Sequence, residues 1–332
     1  MRFVNRWFKR LAVSGSYRIV AIGGGTGIST LLRGLKLYTE DLTAVVTVTD
    51  TGGSSGRIRK EWGVLPPGDL RNCLLALADD EDVLSSVLNY RFSKGELKGH
   101  SLGNLVILAM TDIWGDFSIA IKEISKVLAI KGRVLPSALT NVDIQALMKD
   151  GRVITGEAEI TAANGVIEEL RILPSDISPP KEVIRSLRKA DMIVLGPGSL
   201  YTSVIPNLLV SGVSEAIRES RAWKVYVSNI MTQPGETIGF SVSDHLRELV
   251  RYGGEGIVDS VVVNTERVSD GILHRYMRDG AAQVEVDWGK LNEMGVEVIP
   301  SELVRVEDGI VRHDPYKLAL LLIRRLRKFK GR

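Results

Sequence analysis

The chemistry this chain can do is concentrated in short turns rich in glycine and hydroxyl side chains. The first is Gly23-Gly24-Gly25-Thr26-Gly27, entered from the apolar run Arg18–Ile22. Glycines let a backbone approach an anion closely, and the amides at the start of a following helix point at it. Gly24, Gly25, Thr26 and Gly27 are therefore candidate phosphate contacts. The turn is not the dinucleotide fingerprint, because Ile28 stands at the third glycine position, and no Gly-Lys-Ser/Thr follows to make a P-loop. A glycine turn that only packs helix on strand is the structural alternative.

Asp50 to Arg57 reads Asp-Thr-Gly-Gly-Ser-Ser-Gly-Arg. An acid at the end of a second strand stands where such folds hydrogen-bond a ribose, or where a metal is held through a phosphate. Gly53, Ser54 and Ser55 add donors, and Arg57 offers a charge-assisted contact. Asp69 and Asn72 open the next helix, Asp69 as its N-cap or as a site residue. His100 lies in Gly-His-Ser-Leu-Gly-Asn, just before another helix that carries Asn104 near its start. Asp50, Asp69 and His100 are the candidates for proton or metal chemistry. Two more polar turns follow strands: Gly196-Pro197-Gly198-Ser199-Leu200-Tyr201, with Gly198, Ser199 and Tyr201 as candidates, and 229–237, with Asn229 and Thr232.

Other chemistries find no support. No cluster has metal-ligand spacing, no Ser–His–Asp arrangement is visible, and no carboxylate pair demands a glycosidase. The single cysteine, Cys73, excludes an intramolecular disulfide and reads as a buried small hydrophobe. Several donor-rich turns without an evident nucleophile favour recognition of an oxygen-rich ligand, a nucleotide above all, over bond breaking.

Such turns need strands to hold them at one edge. Arg18–Ile22, the glycine turn, a helix over Ser29–Leu37 and a strand over Leu42–Thr49 make the opening of a doubly wound sheet. Helices are expected over Leu70–Ala78, Val83–Phe92 and Leu102–Ile113. Residues 131–175 read as a small β-rich insertion, with strands at Arg133–Thr140, Val153–Ile160 and Val166–Ile172. A helix over Lys181–Lys189 then returns to strands at Met192–Leu195, Lys224–Ser228 and Ser260–Val263. The expected fold is α/β: a doubly wound, mostly parallel, Rossmann-like sheet with that insertion, over residues 18–316.

Charge separates the ends from the body. The net charge is +3, but residues 1–13 hold four cations and no acid, and 317–332 hold seven cations and no acid. The remainder has 32 basic against 40 acidic residues, a net charge of −8. This is a poor general nucleic-acid binder. Residues 1–17 read as a basic amphipathic extension, with Phe3, Trp7, Phe8 and Leu11 near one face, that docks on the body or a partner subunit, or touches an anionic membrane surface. Residues 317–332 read as a basic helix or tail. No apolar run reaches the ~18 residues of a membrane span, and the N-terminus lacks the apolar core of a secretion signal.

The stretches IGGGTGISTLLRGLK (22–36), DTGGSSGRIRKE (50–61), LPPGDLRNCLLALA (65–78), GHSLGNL (99–105), LGPGSLYTSVIPNLL (195–209) and SNIMTQPGET (228–237) resemble the YvcK, or gluconeogenesis-factor, branch of the CofD-like UPF0052 family. The resemblance implies a cytoplasmic protein that binds UDP-N-acetylglucosamine, has protein partners in cell-wall or carbon metabolism, and links carbon metabolism to cell-wall synthesis and cell shape. It implies site roles for Tyr276 and Arg312: a tyrosine ring can stack on uracil or sugar, and an arginine can fork onto pyrophosphate. No cofactor is obligatory, and a homo-oligomer is compatible with it. The CofD branch resembles instead a Mg²⁺-dependent transferase of a phospholactyl group, with an acidic pair after the second strand. Here that pair is Asp50-Thr51, so one carboxylate is missing; Asp50 is the metal candidate if Mg²⁺ is used. NAD in the same cleft is disfavoured by the absent third glycine.

Overall fold

The computed structural model describes residues 17–331. The expectation for the N-terminal extension lies outside them, apart from Tyr17.

Runs of β-branched and aliphatic residues form a seven-stranded sheet. Its strands are β1 (Ile19–Gly23), β2 (Leu42–Val46) and β3 (Arg133–Pro136), and, after an inserted sheet of β4 (Asp143–Met148), β5 (Val153–Thr155) and β6 (Ile167–Leu173), β7 (Met192–Leu195), β8 (Trp223–Val227), β9 (Ser260–Asn264) and β10 (Glu297–Ser301). The order is β10-β9-β8-β7-β1-β2-β3, and every pairing is parallel. Every residue of β1, β2, β7 and β9 is buried. Such strands carry no polar alternation because helices cover both sheet faces.

The order fixes where a ligand fits. From β1 the chain moves outward through β2 to β3, then returns to place β7 on the other side of β1. The switch point therefore lies between the carboxyl ends of β1 and β7, where open α/β sheets bind ligands. Both ends carry a glycine turn.

Two expectations are corrected, and a third is narrowed to one of its alternatives. Arg133–Pro136 is not part of the insertion; it pairs with β2 in the main sheet. Gly132, at φ 107°, allows this, since a Cβ there would sit 2.3 Å from the Leu42 carbonyl oxygen. The insertion proper is the antiparallel sheet β5-β4-β6, and residues 157–160, expected to extend β5, lie instead in a helix, Glu157–Ala162. The basic C-terminal stretch is a docked helix, Pro315–Lys330, which buries Leu318, Ala319, Leu322, Ile323 and Leu326. It packs on helix Gly25–Leu35 at Gly34, where a Cβ would lie 2.0 Å from the Pro315 carbonyl oxygen. Its cations are partly spent on the fold: Lys330 and Arg18 share Asp191, and Arg325 pairs with Glu297.

A hairpin of β11 (Val304–Glu307) and β12 (Ile310–His313) stands apart from the main sheet. A separate apolar cluster of Ile230, Met231 and Val268, with Tyr276, Val304 and Val311 against it, holds the hairpin and helix Asp270–Arg278 beside the 229–237 loop. Among the described residues no helix is long and apolar enough to cross a membrane.

Candidate functional site

β1 ends at Gly23, and Gly24 caps a helix whose first residue, Gly25, has φ 63°. Helix Gly25–Leu35 thus starts four residues earlier than its apolar spacing indicates. Opposite, Gly196 at φ 74° turns the chain out of β7 through Pro197 and Gly198. The two turns touch: a Cβ on Gly27 would lie 2.3 Å from the Pro197 carbonyl oxygen. Glycine is required there by close approach. First-turn amides of a helix have no intrahelical acceptor and are left to bind an anion.

A cleft of about 280 Å³ opens over these turns. Gly24, Gly25, Thr26, Gly27, Gly198 and Ser199 form its floor; Asn229, Thr232, Tyr276 and Arg312 form its walls. The structure thus brings together ten of the residues singled out from sequence. The walls are pre-positioned. Gln233 donates through Nε2 to Ser199 Oγ at 2.7 Å and accepts from Asn229 Nδ2 at 3.2 Å. Tyr276 Oη accepts from the Val311 amide at 2.9 Å, tying the ring to the hairpin. Arg312 Nη1 donates to Thr26 Oγ1 at 2.6 Å, so the hairpin reaches the glycine turn. Thr232 Oγ1 accepts from the Ala282 amide at 2.9 Å.

Ser203, Gln233 and His313 also line the cleft and were missed in the sequence. Ser203 and Gln233 lie inside quoted polar stretches, which was their only signal; His313 had adjacency to Arg312. The His313 Nε2 atom lies 3.1 Å from the Ser228 carbonyl oxygen, so it carries the proton. Burial pushes this imidazole down to about 4, leaving it neutral with Nδ1 as an acceptor. No carboxylate is among the residues lining the cleft.

The other sequence candidates sit elsewhere. Ser54, Ser55, His100 and Asn104 are buried beside the floor in one polar network. Arg71 Nη1 donates to Asn104 Oδ1 at 2.7 Å, Asn104 Nδ2 donates to Ser54 Oγ at 3.1 Å, and Ser54 Oγ lies 3.0 Å from His100 Nδ1. Because Asn104 is oriented by Arg71, the Ser54 hydroxyl hydrogen is directed at His100. Burial and the charge of Arg57 lower the His100 pKa and keep that ring neutral. Ser55 Oγ accepts from the Gly68 amide. Arg57 is exposed and donates to the Lys98 carbonyl at 2.7 Å, while Gly53 faces open space. Tyr201 is 2% exposed, with its ring edge-on to Phe240, and does not line the cleft. Asn72 lines a neighbouring cavity of about 240 Å³ that shares Thr26, Thr30 and Arg312 with the cleft.

Asp69 does not cap its own helix, whose N-cap is Pro67; its Oδ2 accepts from the Gly25 amide at 2.6 Å. Burial, reinforced by the charge of Asp50, pushes Asp69 up to about 6. Glu157, at the start of the insertion helix, is pushed up to about 9 by burial and by Asp50, Asp69 and Glu236. Glu236 is raised by burial to about 7 and accepts from the Tyr201 amide and Thr202 hydroxyl. Nearby, Asp50 Oδ1 accepts from the Gly52 amide, and the Thr51 hydroxyl donates to Glu159. Among the described residues no three His, Cys, Asp or Glu side chains are placed to hold a metal ion.

Comparison with known proteins places this geometry among relatives. A family model described as 2-phospho-L-lactate transferase CofD matches residues 19–304. The gluconeogenesis factor of Bacillus subtilis is 47% identical over 307 residues, covering 92% of this chain and 97% of that protein. The gluconeogenesis factor of Halalkalibacterium halodurans is 48% identical over 302 residues, covering 91% and 94%. A crystal structure of a UPF0052-family protein from Bacillus halodurans matches with a TM-score of 0.90 and 47% identity, covering 92% of this chain and 99% of that one.

Proposed function

Because this chain belongs to the CofD family, in the branch that contains the gluconeogenesis factors, we propose that its cleft binds a nucleotide-sugar, UDP-N-acetylglucosamine, as a regulatory signal. One observation carries the reading. Two amide-rich glycine turns meet at the switch point, with Arg312 and Tyr276 brought over them by a separate hairpin and helix. The pyrophosphate sits on the turns, where Arg312 and the first-turn amides other than that of Gly25 match its charge. Tyr276 offers a face to uracil or sugar. The Asn229 and Gln233 amides and the His313 Nδ1 lone pair serve ring hydroxyls and imide hydrogen. The occupied state engages partners that link carbon metabolism to cell-wall synthesis and cell shape, in the cytoplasm.

The site is built to recognise rather than to cleave. Its only histidine is neutral with one nitrogen spent on Ser228, and its serines and threonines have no base beside them within the lining. Titration calorimetry with UDP-N-acetylglucosamine tests the assignment. Tyr276→Ala and Arg312→Ala should each weaken binding at least tenfold in a chain that remains folded; unchanged affinity in both variants would sink it.

A second reading, a transferase of phosphorus-containing groups using Asp50 and Asp69, draws on the contact between Asp69 and the glycine turn. Incubation with Mg²⁺ and a panel of nucleotide-linked donors, followed by mass spectrometry, separates the two. A product whose formation is lost in Asp69→Asn would favour transfer.

A further inference from the structure

The outer edge of β3 is a surface that the nucleotide cleft does not use. β3 ends the seven-stranded sheet and pairs only with β2. A groove of about 880 Å³ follows it, lined by Gly132, Arg133, Val134, Leu135 and Pro136. Side chains of successive strand residues point to opposite faces. A groove that touches five in a row therefore runs along the backbone edge, not over one face. Helix Phe117–Val127 walls one side, and the start of helix Lys181–Lys189 contributes another. Ile119 and Leu139 are 44% and 51% exposed in it, apolar surface that folding has left uncovered.

Charge around the groove has one dominant sign. Lys122, Lys126, Arg133, Lys181 and Arg185 stand against Asp116 and Glu182. A second cavity of about 300 Å³ continues from it, sharing Arg133 and Arg185 and adding Arg18 and Lys189, with Asp41 as its one acid. Lys126, Arg133 and Arg18 have acidic partners, but no ion pair is formed by Lys122, Lys181, Arg185 or Lys189 among the described residues.

We propose that this edge docks an extended acidic segment of a partner protein, which adds to the sheet as an eighth strand beside β3. The Val134 amide and carbonyl and the Pro136 carbonyl face away from β2 and are the backbone groups such a strand would pair with, Pro136 having no N–H; alternate side chains supply specificity. The side chains on one face of the segment lie along Ile119, Lys122 and Lys126 of helix Phe117–Val127, and those on its other face meet Lys181 and Arg185. The chain's own first residues have the wrong sign, with Arg2, Arg6, Lys9 and Arg10 and no acid. A second copy joined edge to edge would set two cationic rims against each other.

The test uses the full chain and two fluorescein-labelled ten-residue peptides, one alternating Val with Glu and one alternating Val with Lys, read by anisotropy. The Glu peptide should bind at least tenfold more tightly than the Lys peptide. Methylating its amides along one edge should cost at least tenfold, as should the double substitution Lys126→Glu/Arg185→Glu. Affinity for UDP-N-acetylglucosamine should stay unchanged in that variant, so this outcome is independent of the proposed nucleotide site. Equal binding of the two peptides, or indifference to backbone methylation, overturns the proposal. So does a concentration-dependent dimer dissolved by the double substitution, or peptide binding that appears only after residues 2–16 are deleted.

Discussion

The Gly25 amide donates to Asp69 Oδ2 at 2.6 Å, linking the first helix of the sheet to the start of a helix 44 residues later. The contact holds the glycine turn in its left-handed conformation and puts a carboxyl group beneath the proposed phosphate site. It also spends one helix amide that an anion would otherwise use.

That carboxyl makes stability depend on pH. Asp69 is pushed up from 3.8 to about 6, chiefly by burial. Between these values the folded chain keeps a proton that the unfolded chain has released, so stability falls as pH rises. The contribution is fully present below about pH 4 and gone above about pH 6. A shift of about two units corresponds to roughly 3 kcal/mol. Asp69→Asn, which keeps an acceptor for Gly25, should flatten this part of the profile. Urea unfolding at pH 4, 5, 6 and 7 measures it, and an identical slope in wild type and variant would refute the assignment.

Close approach at two glycines should give two different losses. A methyl at Gly27 meets the Pro197 carbonyl between the two turns; one at Gly34 meets the Pro315 carbonyl under the C-terminal helix. Overpacking of this kind costs about 1–3 kcal/mol. Gly27→Ala should lose both stability and UDP-sugar affinity. Gly34→Ala should lose stability while the remaining folded fraction binds normally. Thermal melts beside calorimetry separate them, and full affinity in Gly27→Ala would mean the touching turns do not form the ligand floor.

Asn104 should behave as a structural residue. It is buried between Arg71, whose guanidinium it accepts from, and Ser54, to which it donates. Asn104→Ala takes one hydrogen-bond partner from each, while Arg71 keeps Ser101 and Ser54 keeps His100, so the two lost bonds cost roughly 1–3 kcal/mol together. Chemical denaturation should show that loss, with ligand affinity changed far less than in Arg312→Ala. A variant of unchanged stability and tenfold weaker binding would instead return Asn104 to the ligand.

The parts of this protein that were legible in sequence are those whose physics is local. Gly23–Gly27 and Gly196–Ser199 announce close backbone approach by composition alone, and the buried parallel strands announce themselves as apolar runs. What was not legible depends on distant partners. Asp143–Met148 escaped notice as a strand because Asp, Gln and Ala dilute its alternation. Arg133–Pro136 looks the same whether it joins the insertion or β2. Tyr201 follows a ligand-like turn, yet the π-helical turn at Leu200–Val204 leaves its ring against Phe240. His313 and Glu157 gain their roles only when a hairpin and an insertion helix fold back, a pairing that no spacing encodes.

Tyr276 joins two functions that substitution can separate. Its ring faces the cleft, while its hydroxyl accepts from the Val311 amide, one residue before Arg312. Tyr276→Phe keeps the ring and deletes the acceptor; a hydrogen bond of this kind contributes about 0.5–1.5 kcal/mol. The variant should bind UDP-N-acetylglucosamine up to about tenfold more weakly, because the hairpin that carries Arg312 is less firmly held. Faster hydrogen exchange at Val311 should accompany that loss. Tyr276→Ala should weaken binding further, since it also removes the stacking face. Equal losses in the two variants would mean that the hydroxyl latch, and not stacking, is what Tyr276 supplies; an unaltered Val311 amide in Tyr276→Phe would show that the latch does not hold the hairpin.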